Sequence, residues 1–129
     1  MAVLLRIAAG LLLIAHGLVH LLYLTTSESD PSFPFTLKES WPVPEAVRRP
    51  TGLGLMAATV AAFAPLGLAV WGVPGLSSVL PLIAVVSATL SLTLLVAFWN
   101  AHLVAGICID VALIALAAIR PEWIEKITG

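Results

Sequence analysis

Four stretches of the chain are almost uninterruptedly apolar, and polar residues fall mainly between them. A helix rises about 1.5 Å per residue, so about 20 apolar residues cross a hydrocarbon core about 30 Å thick. Residues 3–24, 51–73, 78–99 and 101–119 each meet that requirement. The pattern predicts an all-α integral membrane fold, a four-helix antiparallel bundle forming one transmembrane domain over residues 1–129. Pro50 stands at the expected first turn of the second span, and Pro65 lies inside that span, where its missing N–H predicts a kink. Ser77 or Ser78 is the expected N-cap of the third span, with Pro81 near its first turn, and Arg120-Pro121 stops the fourth.

The connections are unequal. Gly72-Val73-Pro74-Gly75 and Trp99-Asn100-Ala101-His102 predict tight turns, which make spans two and three, and three and four, antiparallel neighbours. Residues 25–50 form the one long loop, with Pro31, Pro34, Pro42 and Pro44 and the aromatics Phe33, Phe35 and Trp41. Three aromatics so close together predict a cap folded against the end of the bundle rather than a solvated linker, with Glu45 to Arg49 as a short interfacial helix. Arg6 before an apolar run resembles a signal peptide, but the run exceeds the usual h-region of about 7–15 residues and has no A-x-A site, so a retained span is expected.

Composition sharpens this picture. The chain is 60% hydrophobic and 10% charged, against about 25% charged in soluble domains. Six Lys/Arg against seven Asp/Glu offer no basic stripe for nucleic acid, and no glycine-rich phosphate loop suggests a nucleotide. The positive charges tie across the membrane: Arg6, Arg120 and Lys126 lie on the terminal side, and Lys38, Arg48 and Arg49 on the loop side. Because the acidic Glu28, Asp30, Glu39 and Glu45 crowd the loop and the termini are short, both termini are expected to be cytoplasmic. Cys108 is the sole cysteine, so no internal disulfide forms, and it is expected to pack as a small apolar residue.

Ionisable side chains at bilayer depth cost about 2.5–3.5 kcal/mol each on insertion scales, so each needs a partner or a purpose. His16 and His20 lie one turn apart on span one and share a face. Asp110 lies mid-span on span four, and His102 opens that span two residues after Asn100. Counting turns puts His16 and Asp110 at one depth, with His20, His102 and Asn100 nearer the loop. If spans one and four are neighbours, His16 and Asp110 pair. The candidate site is therefore a polar pocket of His16, His20, His102, Asp110 and Asn100 under the loop. Imidazoles and a carboxylate suit a metal, with His20 and His102 the best ligands, or a haem or a quinone head group, and His and Asp in sequence across a membrane can also relay protons. The competing reading is a buried His16–Asp110 pair that locks helix register, with His20 and His102 at the wet interface. Ser87 and Ser91, one turn apart on span three, either line the same interior or bond back to their own helix. Gly10, Gly17, Gly52, Gly54 and Gly106 are expected to allow close helix approach, and Trp71, Trp99, Trp123 and Tyr23 to anchor span ends in the interface.

Leu5-Arg6-Ile7-Ala8-Ala9-Gly10 through Ala15-His16-Gly17 resembles the first span of DoxX-like small bacterial membrane proteins, and the whole chain resembles uncharacterised four-span bacterial proteins. That resemblance implies a neighbourhood of membrane oxidoreductases and quinone-linked sulfur metabolism, acting through partner subunits. The long first loop and the His102/Asp110 pair have no counterpart in it. With no nucleophile–base constellation and no HExxH pattern, the first expectation is a non-catalytic accessory or assembly subunit, held by lipid and by another membrane subunit or a second copy of itself. The alternative is a His/Asp intramembrane site for a metal, haem or quinone.

Overall fold

The computed structural model describes residues 1–24 and 35–128, apart from the side chains of Trp123, Ile127 and Thr128. Helix α1, Ala2–Val19, runs into a 3₁₀ turn, His20–Leu24; α2 is Glu45–Val70 and α3 is Leu80–Ala97, the latter after a 3₁₀ turn at Ser77–Val79. A further 3₁₀ turn, Ala101–Leu103, leads into α4, Val104–Ile119, and a short α5 follows, Glu122–Thr128. Among the described residues there is no strand. Four helical segments are long and apolar enough to cross a membrane: Ala2–Leu24, Glu45–Val70, Ser77–Ala97 and Ala101–Ile119. The expected contributions of Pro31, Phe33 and Pro34 to the loop cap, and of the Trp123 ring to the interface, lie outside the described residues.

Several boundaries differ from the apolar pattern. The short helix expected over Glu45 to Arg49 is present but runs without a break into the second span as α2, so Pro50 sits inside that helix and not in its first turn. Pro44, with φ −59° and ψ 143°, launches the helix. The missing Pro50 N–H then costs one bond, to a carbonyl in an exposed first turn that water can solvate. Neither Ser77 nor Ser78 caps α3, since the Ser78 hydroxyl donates back to Gly75 O and no side chain caps that end. The α2–α3 turn instead depends on Gly72 and Gly75, at φ 85° and 86°, a region closed to most L-residues. Arg6 Nε donates to Val70 O at 2.7 Å and satisfies a carbonyl at the end of α2.

Close packing follows chain order: α1 against α2, α2 against α3, and α3 against α4, with no comparable packing of α1 on α4. Spans one and four, whose adjacency the sequence leaves as a condition, pack less closely than the consecutive pairs. Small residues set the closest approaches, because a Cβ on Gly17 would overlap Phe63 Cβ and one on Gly67 would meet Ile14 and the Gly10 carbonyl. Gly54, expected to do likewise, faces open space.

Burial is inverted relative to a water-soluble domain. Leu4 is 71% exposed, Leu12 60% and Val111 53%, while Thr59, Ser87, Ser91 and Asp110 are each 0% exposed. The inside is layered. Tyr23, Met56, Leu94, Leu95, Ala97, Phe98 and Leu103 form one apolar cluster, and Leu13, Phe63, Leu66, Val70 and Ala84 form another. In the first three spans the buried polar residues, His16 and His20, Thr59, and Ser87 and Ser91, fall in sequence between members of these two clusters, and in the fourth Asp110 falls between Leu103 of the first and Leu113, which packs against the second. Tyr23 is thus a core residue and not an interfacial anchor, whereas Trp71 and Trp99 are exposed at helix ends.

The described part of the loop is tied to the bundle. Ser40 Oγ and Trp41 Nε1 donate to Ala97 O and Val96 O, both at 2.6 Å, satisfying carbonyls at the C-terminus of α3 that have no partner within the helix. Arg48 donates to the carbonyls of Val43, Lys38 and Ser40, so a single guanidinium fork holds the strap in shape.

Candidate functional site

The four-residue spacing of His16 and His20 puts both rings on one face of α1, with centroids 5.4 Å apart and planes nearly perpendicular. Phe63 of α2 packs behind them, 5.0 Å from the His16 ring and 6.4 Å from the His20 ring, almost parallel to the latter. That approach needs Gly17, because any side chain there would meet Phe63.

His16 Nε2 lies 3.0 Å from Asp110 Oδ1. Asp110 Oδ2 lies 2.5 Å from Ser91 Oγ, which is 2.9 Å from His20 Nε2. His20 Nδ1 is 3.0 Å from His16 O and 3.2 Å from Gly17 O. One continuous chain of hydrogen bonds therefore runs His16–Asp110–Ser91–His20 and joins α1, α3 and α4. It spans the side on which α1 and α4 do not pack, so the pair expected from equal depth is reached by side chains rather than by close backbones. His20 is 2% exposed and fully engaged, which corrects its placement at a wet interface. Ser91 bonds across helices and not back to its own, unlike Thr59 and Thr93, which donate to Leu55 O and Thr89 O. Ser87 is equally buried and has no hydrogen-bond partner among the described residues.

His102 and Asn100 occupy the rim. Asn100 Oδ1 accepts from the His102 backbone N–H at 2.9 Å and from Nδ1 at 2.8 Å, capping the turn that starts span four. A cavity of about 200 Å³ lies alongside, lined by His16, His20 and His102 together with Val19, Phe35, Leu95, Leu103, Ala105, Gly106 and Ile109. Asn100 is not among the lining residues. Cys108 is exposed on α4 rather than packed inside.

The donor inventory decides what this cavity can hold. Both His20 nitrogens are committed, to backbone carbonyls and to Ser91, and both Asp110 oxygens are committed too. His102 has only Nε2 left, because Nδ1–H donates to Asn100. His20 and His102 therefore do not form a metal-ligand pair, and no group of three or more His, Cys, Asp or Glu suited to a metal occurs among the described residues. What remains is His16 Nδ1 and His102 Nε2, on two rings that line one largely apolar cavity. No family model, curated protein or solved structure matches the chain.

Proposed function

We propose that this chain is a four-span integral membrane protein that holds the ring of a lipid-soluble phenol or hydroquinone in the cavity between α1 and α4. The reading is carried by one observation: the cavity of about 200 Å³ is walled by apolar residues and three imidazoles, of which His20 is engaged at both nitrogens while His16 and His102 each keep one nitrogen for a ligand. An apolar cavity of about 150 Å³ takes up benzene, so a single substituted ring fits. With Nε2–H of His16 donated to Asp110 and Nδ1–H of His102 donated to Asn100, each neutral ring retains an acceptor nitrogen. A hydroxyl-bearing ring matches two acceptors, and a ring bearing only carbonyls does not. The inverted burial supports the membrane assignment, since apolar side chains cover the outside and the polar layer is enclosed. The likeness of span one to DoxX-like proteins points to the same chemical neighbourhood.

A short-chain hydroquinone titrated into detergent-purified protein is expected to bind saturably, one per chain, as read by calorimetry. Gly106→Leu fills the cavity from α4, where a Cβ meets only Leu95 Cδ1 at 3.0 Å and His16 Cε1 at 3.7 Å. It is expected to lower affinity at least about tenfold, the equivalent of about 1.4 kcal/mol. Absence of saturable binding, or equal binding by Gly106→Leu, contradicts the proposal.

A second reading is an accessory subunit. Helix α4 packs closely on α3 alone and leaves Val104, Val111 and Ile119 exposed, a flank that a second membrane subunit or a second copy would cover. Cross-linking from Cys108 in native membranes distinguishes this from a flank that faces only lipid.

A further inference from the structure

The hydrogen-bond chain restricts where protons can sit. His20 Nδ1 faces two carbonyl oxygens, which only accept, so Nδ1 carries a proton. Ser91 has one hydroxyl proton but two close contacts, Asp110 Oδ2 at 2.5 Å and His20 Nε2 at 2.9 Å. If that proton points to Asp110, Nε2 needs its own proton and His20 is an imidazolium. If it points to His20, Oδ2 needs its own proton and Asp110 is a carboxylic acid. A carboxylate beside a neutral His20 leaves two acceptors in contact with no hydrogen between them, in a buried site where an unsatisfied polar contact is costly.

We infer that Asp110, Ser91 and His20 share one exchangeable proton, which passes between the carboxyl and the imidazole through the Ser91 hydroxyl. The step is a paired shift. The Oδ2–H bond of Asp110 breaks as a new Oγ–H bond forms on Ser91, while the original Oγ–H bond breaks as Nε2–H forms on His20. The reverse restores the neutral arrangement, and no proton enters or leaves the group. In both arrangements His16 Nε2–H donates to Asp110 Oδ1, which ties the relay to a ring lining the cavity. Asp110 thus joins that ring to the shared proton, and Ser91 is the bridge. Phe63 stacks on the His20 ring and holds it in line. The inference rests on this geometry alone and does not require a ligand in the cavity.

Solid-state NMR of ¹³C,¹⁵N-labelled, ligand-free protein in lipid bilayers tests it at about pH 8, where a free carboxylic acid is ionised and a free imidazole is neutral. The Asp110 carboxyl is assigned by its loss in Asp110→Asn. The expected result is that the pair holds the proton as an exchanging mixture of Asp110 carboxylic acid beside neutral His20 and Asp110 carboxylate beside doubly protonated His20. On varying temperature, the Asp110 carboxyl and His20 Nε2 resonances move together, one gaining proton character as the other loses it. Ser91→Thr keeps the joint movement and Ser91→Ala abolishes it. An Asp110 carboxylate beside a singly protonated His20 overturns the inference. So do resonances that fail to move together in the wild-type protein, or joint movement that persists in Ser91→Ala. The wild-type spectrum alone decides the proton count even if Ser91→Ala folds poorly, and neither readout depends on hydroquinone binding.

Discussion

Asp110→Ala is expected to destabilise the protein by about 3 kcal/mol, while Asp110→Asn stays within about 1 kcal/mol of the wild type. Alanine removes both oxygens at the junction and leaves His16 and Ser91 in an interior that offers no water. Asparagine reproduces the neutral arrangement: its carbonyl accepts from His16 Nε2–H, its amide donates to Ser91, and Ser91 still donates to His20. Only one amide hydrogen goes unused, which sets the smaller cost. Equilibrium unfolding in mixed micelles reads both variants, and equal losses would show that the carboxyl does not sit at a hydrogen-bonded junction.

Gly17→Val has the second large expected effect. The nearest atom to an added Cβ is Phe63 Cβ, which is fixed directly to the α2 backbone and cannot swing aside. The helices must separate, at a cost of about 1–3 kcal/mol for overpacking. Separation also moves His16 and His20 away from Asp110 and Ser91, so the variant should weaken hydroquinone binding as well as stability. Gly54→Ala is the matched control, because nothing lies within 4 Å of its added Cβ and the better helix former is worth up to about 1 kcal/mol. Thermal unfolding in detergent should lower the Tm of Gly17→Val and leave that of Gly54→Ala unchanged or raised.

The four helices were legible because each carries a long, mainly apolar run, and a segment's apolar length is a local property of sequence. Helix ends were less legible, for a physical reason seen at Glu45–Arg49: Glu45, Arg48 and Arg49 are charged and this segment extends α2 beyond its apolar run, so an apolarity criterion stops short of it. The common depth of His16 and Asp110 followed from the rise per residue and from the alternating direction of the spans. The role of Ser91 did not follow, because a hydroxyl inside a helix satisfies itself equally well on its own backbone, as Thr59 and Thr93 do. The choice depends on which helix lies opposite, and that is set by contacts such as Gly17 with Phe63 and Gly67 with Ile14. The same dependence explains why the gap between α1 and α4 was not foreseen. Ser87 and Ser91 at i and i+4 were the available signal, but Thr89 and Thr93 show the same spacing on α3 and face outward.

Everything rests on the exposed apolar surface meeting lipid rather than water. Cys108 is a native reporter of that surface, exposed on α4 and about 10 Å along the helical rise from the start of the Ala101–Ile119 segment. A nitroxide attached to Cys108 in reconstituted bilayers should collide readily with oxygen, which concentrates in the hydrocarbon core. It should collide hardly at all with a water-soluble nickel chelate in power-saturation EPR. Strong collision with the nickel chelate and weak collision with oxygen would put α4 in water, and the membrane assignment would fall with it.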